Sequence, residues 1–257
     1  VTATRLRLEV AGRIATVRLT GADRRNAIDF AFVQQLDVLT EELAQRCQDE
    51  EVDCVVLVAE GRHFCVGGDL TDFPPDPAAA PPHVSRMAGH AHRGIDQLHR
   101  LPVPVVARVQ GAVAGAGLGL VLVADVAVGG TSATFTPAYP VVGLTPDAGV
   151  SWHLPHLLGD RRAAEWLLTN RRLTAAEAQE WGLLGRVVDD AHLDHEVDRV
   201  VSALTDVPGE VLRETKRLVR LARTRDLTAH LDDEARSIAR LAGRTEAIDR
   251  MTAFLGR

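Results

Sequence analysis

Residues 102–125 read PVPVVARVQGAVAGAGLGLVLVAD. The stretch divides at Gly111. Before it lies an apolar run of strand length, rich in valine; after it, an apolar run of helix length opened by glycines. A strand apolar along its whole length must be covered on both faces, as in a sheet of parallel strands joined by helical crossovers. The same alternation extends outward. Upstream, DCVVLVAEG (53–61) is a second fully apolar strand ending in glycine. DFAFVQQLDVLTEELAQRCQ (29–48) has apolar spacing near 3.6 with Asp29 as N-cap, which predicts a helix. RLRLEVAGRIATVRL (5–19) alternates around an AGR turn and predicts a hairpin. FPPDPAAAPPH (73–83) holds five of the twelve prolines and reads as a loop, followed by a helix over 84–101. DVAVGG (125–130) is a further strand.

Strand and helix thus alternate through the first half, the mark of an α/β sheet built from crossovers. Beyond about residue 148 the pattern is largely helical, with helices expected at 149–158, 160–169, 174–180, 191–204, 208–223 and 227–255. This divides the chain into a core over residues 1–190 and a helical C-terminal subdomain over 191–257.

The chain has 257 residues, 46% hydrophobic and 25% charged, as a globular protein does. Its net charge of −6 argues against a general nucleic-acid partner, which needs a positive face. Cys47, Cys54 and Cys65 form no pairable framework, which with the absence of a signal pattern in VTATRLRLEV predicts a cytoplasmic setting. The apolar uncharged run 109–124 falls short of the about 20 residues of a membrane span. No cluster of His, Cys and carboxylate has metal-ligand spacing, so no metal is expected.

The glycines of 111–119 do not match a dinucleotide fingerprint: Gly115, Gly117 and Gly119 are spaced GxGxG, in the third unit of the chain rather than the first. Two other readings stand. Small residues can serve close packing of helix on sheet, and unpaired N–H groups at a helix start can hold an anion, including one that develops on a carbonyl. RHFCVGGDL (62–70) has the same character, with Gly67 and Gly68 in a turn and Asp69 able to cap the next one. Both loops leave the ends of apolar strands, where α/β sheets bind ligands.

GRHFCVGGDL followed about 40 residues later by PVPVVARVQGAVAGAGLGLVLVADVAV resembles the crotonase (enoyl-CoA hydratase/isomerase) superfamily. DRRNAID (23–29), GLTPDAGVSWHLPHLLG (143–159), RRLTAAEAQEWGLLGRVVDD (171–190) and the terminal AFLGR are similar to further motifs of that family, in order, across the whole chain. The resemblance implies a crotonase (ClpP-like) α/β spiral of ββα turns with a helical C-terminal region, and trimers or dimers of trimers. It implies an acyl-CoA thioester as substrate, coenzyme A entering as part of that substrate and no separate cofactor. Gly68 and Ala116 are then the residues whose N–H groups bind the thioester oxygen, with Ala116 in place of the family's middle glycine. Arg24, Arg25, Ala27, Phe64, Val66, Gly67, Asp69, Leu70, Gly115 and Lys216 are the positions implied to line the CoA site, Lys216 at the nucleotide end of its own or a neighbouring subunit.

Hydratases of this family use two glutamates; here the matching positions are Gly119 and Tyr139. Adding water to a double bond needs a group to activate it and another to deliver a proton, so simple hydration is disfavoured. One acid remains. Asp147 matches the acidic residue of family isomerases, where it shuttles a proton, and of 4-chlorobenzoyl-CoA dehalogenase, where it is the nucleophile. It can equally cap a helix starting near Ala148. His92 matches the dehalogenase's histidine, or is one more packed or solvated histidine beside His90 and His99. Tyr139 can bond substrate, orient water, or simply pack. The expectation is an isomerase with Asp147 as proton shuttle. The alternatives are hydration, displacement or hydrolysis using Asp147 with His92, and a CoA-ester-binding oligomer without catalysis.

Overall fold

The computed structural model describes residues 4–256. The chain opens with a hairpin, β1 (Leu6–Ala11) and β2 (Ile14–Leu19), turning at Gly12. The helix α1 (Phe30–Gln48) comes next. Its N-cap is Asp29, whose carboxylate accepts from Phe32 N and pairs with Arg5 at 2.6 Å. After it stand β3 (Cys54–Ala59), α2 (Ala80–Arg100) and β4 (Val105–Val109). The glycine-rich stretch supplies the short β5 (Ala112–Ala114) and α3 (Gly117–Leu122). β6 (Val126–Gly130), β7 (Thr134–Thr136), α4 (Val150–Leu158) and α5 (Asp160–Thr169) continue the chain. Then come β8 (Leu173–Thr174), α6 (Ala175–Glu180) and β9 (Arg186–Val188). The chain ends in α7 (Leu193–Thr205), α8 (Gly209–Leu221), α9 (Leu227–Ala242) and α10 (Thr245–Leu255).

Six strands form one sheet in the order β1-β2-β3-β4-β6-β9, parallel except at the hairpin; β5, β7 and β8 form a second, smaller sheet. Every residue of β3 is buried, and the two faces go to different neighbours. Val55, Leu57 and Ala59 join the main core, with Leu36, Leu43, Ile95 and Leu98 of α1 and α2. Cys54, Val56 and Val58, with Val106 and Val128, pack against Leu193, Val197, Val200 and Val201. The outer cover of the sheet is therefore α7, which lies just past residue 190. No described helix is long and apolar enough to cross a membrane.

The structure departs from the sequence reading in three places. Helix α2 starts at Ala80 rather than 84, taking Pro81 and Pro82 into its first turn. Proline is tolerated there because the first N–H groups of a helix have no partner to lose. The predicted 227–255 helix is two, broken at Gly243 and Arg244. The small sheet, and β9 on the large one, lie where helices and loops were expected.

Candidate active site

Two loops leave the sheet side by side, joined by main-chain hydrogen bonds. Cys65 N donates to Ala112 O at 3.3 Å and Ala114 N to Cys65 O at 3.0 Å, a parallel bridge that runs β5 alongside the 65–69 loop. Gly67 turns this loop at φ +86, and a Cβ there would stand 2.6 Å from Ala114 O. Only glycine fits both the conformation and the approach. Ile28 N donates to Gly67 O and Asp69 N to Ile28 O, which fastens the 24–28 segment to the same loop. The N–H groups of Gly68 and Ala116 donate to no acceptor among the described residues. Gly68 is exposed, and Ala116 is the residue from which α3 starts. Open donors, one of them at a helix start, suit a carbonyl oxygen gaining negative charge.

Asp147, His92 and Tyr139 come together next. The Tyr139 hydroxyl donates to Asp147 Oδ1 at 2.7 Å. Tyr139 is buried, and its burial, followed by the Asp147 charge and this hydrogen bond, raises the phenol above its usual range. It therefore stays protonated and remains a donor. The capping alternative for Asp147 is excluded by geometry. The residue before α4 is Gly149, with no side-chain cap, and only the main-chain carbonyl of Asp147 accepts from Val150 N. His92, on α2, accepts the Ala148 N–H at its Nε2, 3.2 Å away. That contact fixes the main chain one residue beyond Asp147.

The position of the missing carboxylate is closed. A Cβ on Gly119 would lie 2.3 Å from Ala148 O and 2.8 Å from Ala148 Cβ. Ala148 itself holds φ +49, uncommon for a residue with a side chain. Asn26 is a second residue whose role the sequence did not disclose. Buried at φ +54, it donates from Nδ2 to Glu60 O and His63 O, at 2.9 and 2.8 Å, tying the 24–27 turn to the loop after β3. Its place within DRRNAID was its only signal.

The positions implied for coenzyme A divide. Arg25 is exposed with no carboxylate partner among the described residues, whereas Arg24 pairs with Asp69 at 2.6 Å and reaches Asp29 and Thr71. Ala27 and Val66 are half-buried beside these arginines, with Val66 N donating to Arg25 O, and Leu70 is exposed. Gly115, at φ +51, donates its N–H to Thr136 O and stacks against Gly67. Phe64 is fully buried, so its ring serves the core and only its main chain borders the loop. Within its own chain Lys216 does not reach this region. It lies buried on α8 with its ammonium 2.5 Å from both Asp125 and Val103 O, and burial lowers it to about 8. Cys65, fully buried beside the loop with its thiol pushed up to about 12 by burial, is a filler.

A sequence model of enoyl-CoA hydratase/isomerase matches residues 9–257. The chain belongs to the enoyl-CoA hydratase/isomerase family, and its fold is the crotonase spiral with a helical C-terminal region. It is 34% identical over 242 residues to 4-chlorobenzoyl coenzyme A dehalogenase-2 of an Arthrobacter species, covering 94% of this chain and 87% of that one. It is also 34% identical over 246 residues to 1,2-epoxyphenylacetyl-CoA isomerase of Escherichia coli, covering 95% and 92%. Among solved structures, an enoyl-CoA hydratase from Polaromonas superposes with a TM-score of 0.89 at 28% identity, covering 98% and 96%. A Thermobifida fusca chain described as an enoyl-CoA hydratase, solved with CoA, superposes at 0.84 with 32% identity, covering 93% of each.

Proposed function

We propose that this protein moves a double bond within an acyl-CoA thioester, with Asp147 carrying the proton and the Gly68 and Ala116 amides holding the enolate oxygen. The observation that carries this reading is the Tyr139–Asp147 hydrogen bond: a single carboxylate, gripped at one oxygen by a buried phenol and leaving the other free. Asp147 takes a proton from the α-carbon, and the electron pair moves onto the thioester oxygen. The two amides stabilise that charge, an effect commonly worth a factor of about 10²–10³ per donor. Return of the proton at the γ-carbon restores the thioester with the double bond moved. Relatives solved with CoA and acetoacetyl-CoA support the thioester class, and exposed Arg25 supports a phosphate contact.

Displacement at Asp147 is the second reading, favoured by the dehalogenase relatives and by His92 standing next to Asp147 in the fold. It requires an imidazole lone pair to activate the hydrolytic water. The Nε2 lone pair is taken by Ala148 N–H, which favours a positioning role for His92. Hydration fares worse, since Ala148 fills the space a carboxylate at 119 would need.

Asp147→Asn keeps the shape and removes the base. We expect turnover of a 3-enoyl-CoA to fall about 10²–10⁴-fold with thioester binding retained. Unchanged turnover would overturn the shuttle. A parent protein that binds thioesters and converts none would make it a binding protein, and a covalent adduct on Asp147 would make displacement correct.

A further inference from the structure

A second constellation lies on the far part of α2, away from the two amide loops. Two cavities of about 510 and 300 Å³ share His99 of α2 with Trp152 and His153 of α4 in their walls; the second also takes in Arg220 and Arg223 at the end of α8. The three rings are mutually edge-on, with centroids 5.4, 5.3 and 4.7 Å apart. His153 is only 6% exposed as a residue, and neither its ring nor that of His99 is hydrogen-bonded to a described residue. Their ring nitrogens are not among the enclosed ones, so they open onto the cavity and can donate to what enters it.

The charge around these rings is unbalanced. Asp96 is matched by Arg100 at 2.8 Å. Asp125 is shared by Lys216 and Arg220, at 2.5 and 3.3 Å, two cations for one carboxylate. Arg223 lies over the Trp152 ring at 5.7 Å and has no carboxylate partner among the described residues. His156, also on α4, stacks on Trp152 and bonds that residue's carbonyl. Burial, followed by these neighbouring cations, keeps His153 neutral, down to about 4, and lowers His99 as well. Each neutral ring offers one N–H, and Arg223 offers a fork that matches a carboxylate. Ile95, Leu122 and Leu157 supply apolar parts of the remaining wall, which also holds Asp96, Asp125 and Thr224. The volumes are those of sites for small organic molecules.

We propose that the cavity between α2, α4 and α8, walled by His99, Trp152, His153, Arg220 and Arg223, binds a small carboxylate with an apolar body. The carboxylate meets the Arg223 fork and the imidazole N–H groups while its body covers Trp152. The larger cavity also takes His92 and Gly149 into its wall, next to Asp147, so the test reads binding rather than turnover.

Benzoate titrated into the full chain provides that test, with affinity followed by calorimetry and the histidine ring signals by NMR. The expected result is saturable binding that shifts the His99 and His153 signals, no binding of benzyl alcohol, and about tenfold weaker benzoate binding in Arg223→Gln, whose side chain is exposed and not needed for folding. Asp147→Asn should bind benzoate as the parent does. Competition by a CoA thioester of a dicarboxylic acid identifies the carboxylate as the far end of an acyl group; simultaneous binding identifies a separate small acid. Histidine signals that do not move at high benzoate, or an Arg223→Gln protein that binds as tightly as the parent, would overturn the proposal.

Discussion

Asp147 has its carboxylate oriented from one side by a phenol and its main chain fixed from the other by an imidazole, and each partner comes from a different element. Tyr139→Phe removes the hydroxyl and leaves the ring in its buried place. The carboxylate then loses its orientation without losing its charge. We expect kcat to fall about 10–100-fold with little change in KM, because a small misplacement of a reacting group is costly. Equal kcat in the two proteins would show that the hydrogen bond does not position the base. These three residues were legible in the sequence as positions, but their partnership was not. Hydrogen-bond partners 8 and 56 residues apart leave no periodicity to read. Ala148 was invisible for a plainer reason: its importance lies in a positive φ and a contact with Gly119, and an alanine in a sequence announces neither.

Among the elements, the long ones were readable because burial imposes a period. Helix α1 and strand β3 fall where apolar spacing and composition put them, and Asp29 caps as expected. The strands β5, β7 and β8, of two or three residues each, are too short to show a period, and their pairing is decided by the loops they zip together. The packing of α4 on α2 has a pH consequence. Burial holds folded His153 near 4, below the about 6.5 of an unfolded histidine, and lowers His99 in the same direction. Between those values the unfolded chain binds protons that the folded chain refuses, so stability is complete above about 6.5 and declines as pH falls toward 4. The loss for His153 is on the order of 3 kcal/mol. Denaturation curves of the parent and His153→Gln from pH 7 to 4 should converge as the pH falls; curves that stay parallel would remove His153 as the cause.

At the scale of the whole molecule, the core was foreseeable and the surface of the helical end was not. Leu227, Leu231 and Ile238 on α9, with Ile248, Met251, Phe254 and Leu255 on α10, are all exposed. So many large apolar side chains in two consecutive helices mark a surface made to be covered. We propose that copies of this chain cover it in a trimer or a dimer of trimers. Sedimentation should give three or six times the chain mass of 27.7 kDa, and a monomer at micromolar concentration would contradict it. Which acyl group the assembled site accepts is not encoded in any one stretch, because its walls are drawn from separate elements.

The Gly68 and Ala116 amides have no acceptor among the described residues, and a crystal structure with an unreactive acyl-CoA bound would show what they hold. We expect the thioester oxygen within about 2.7–3.2 Å of both Gly68 N and Ala116 N, with the free oxygen of Asp147 facing the carbon chain. A thioester carbonyl pointing into solvent, or bonded to neither amide, would contradict it.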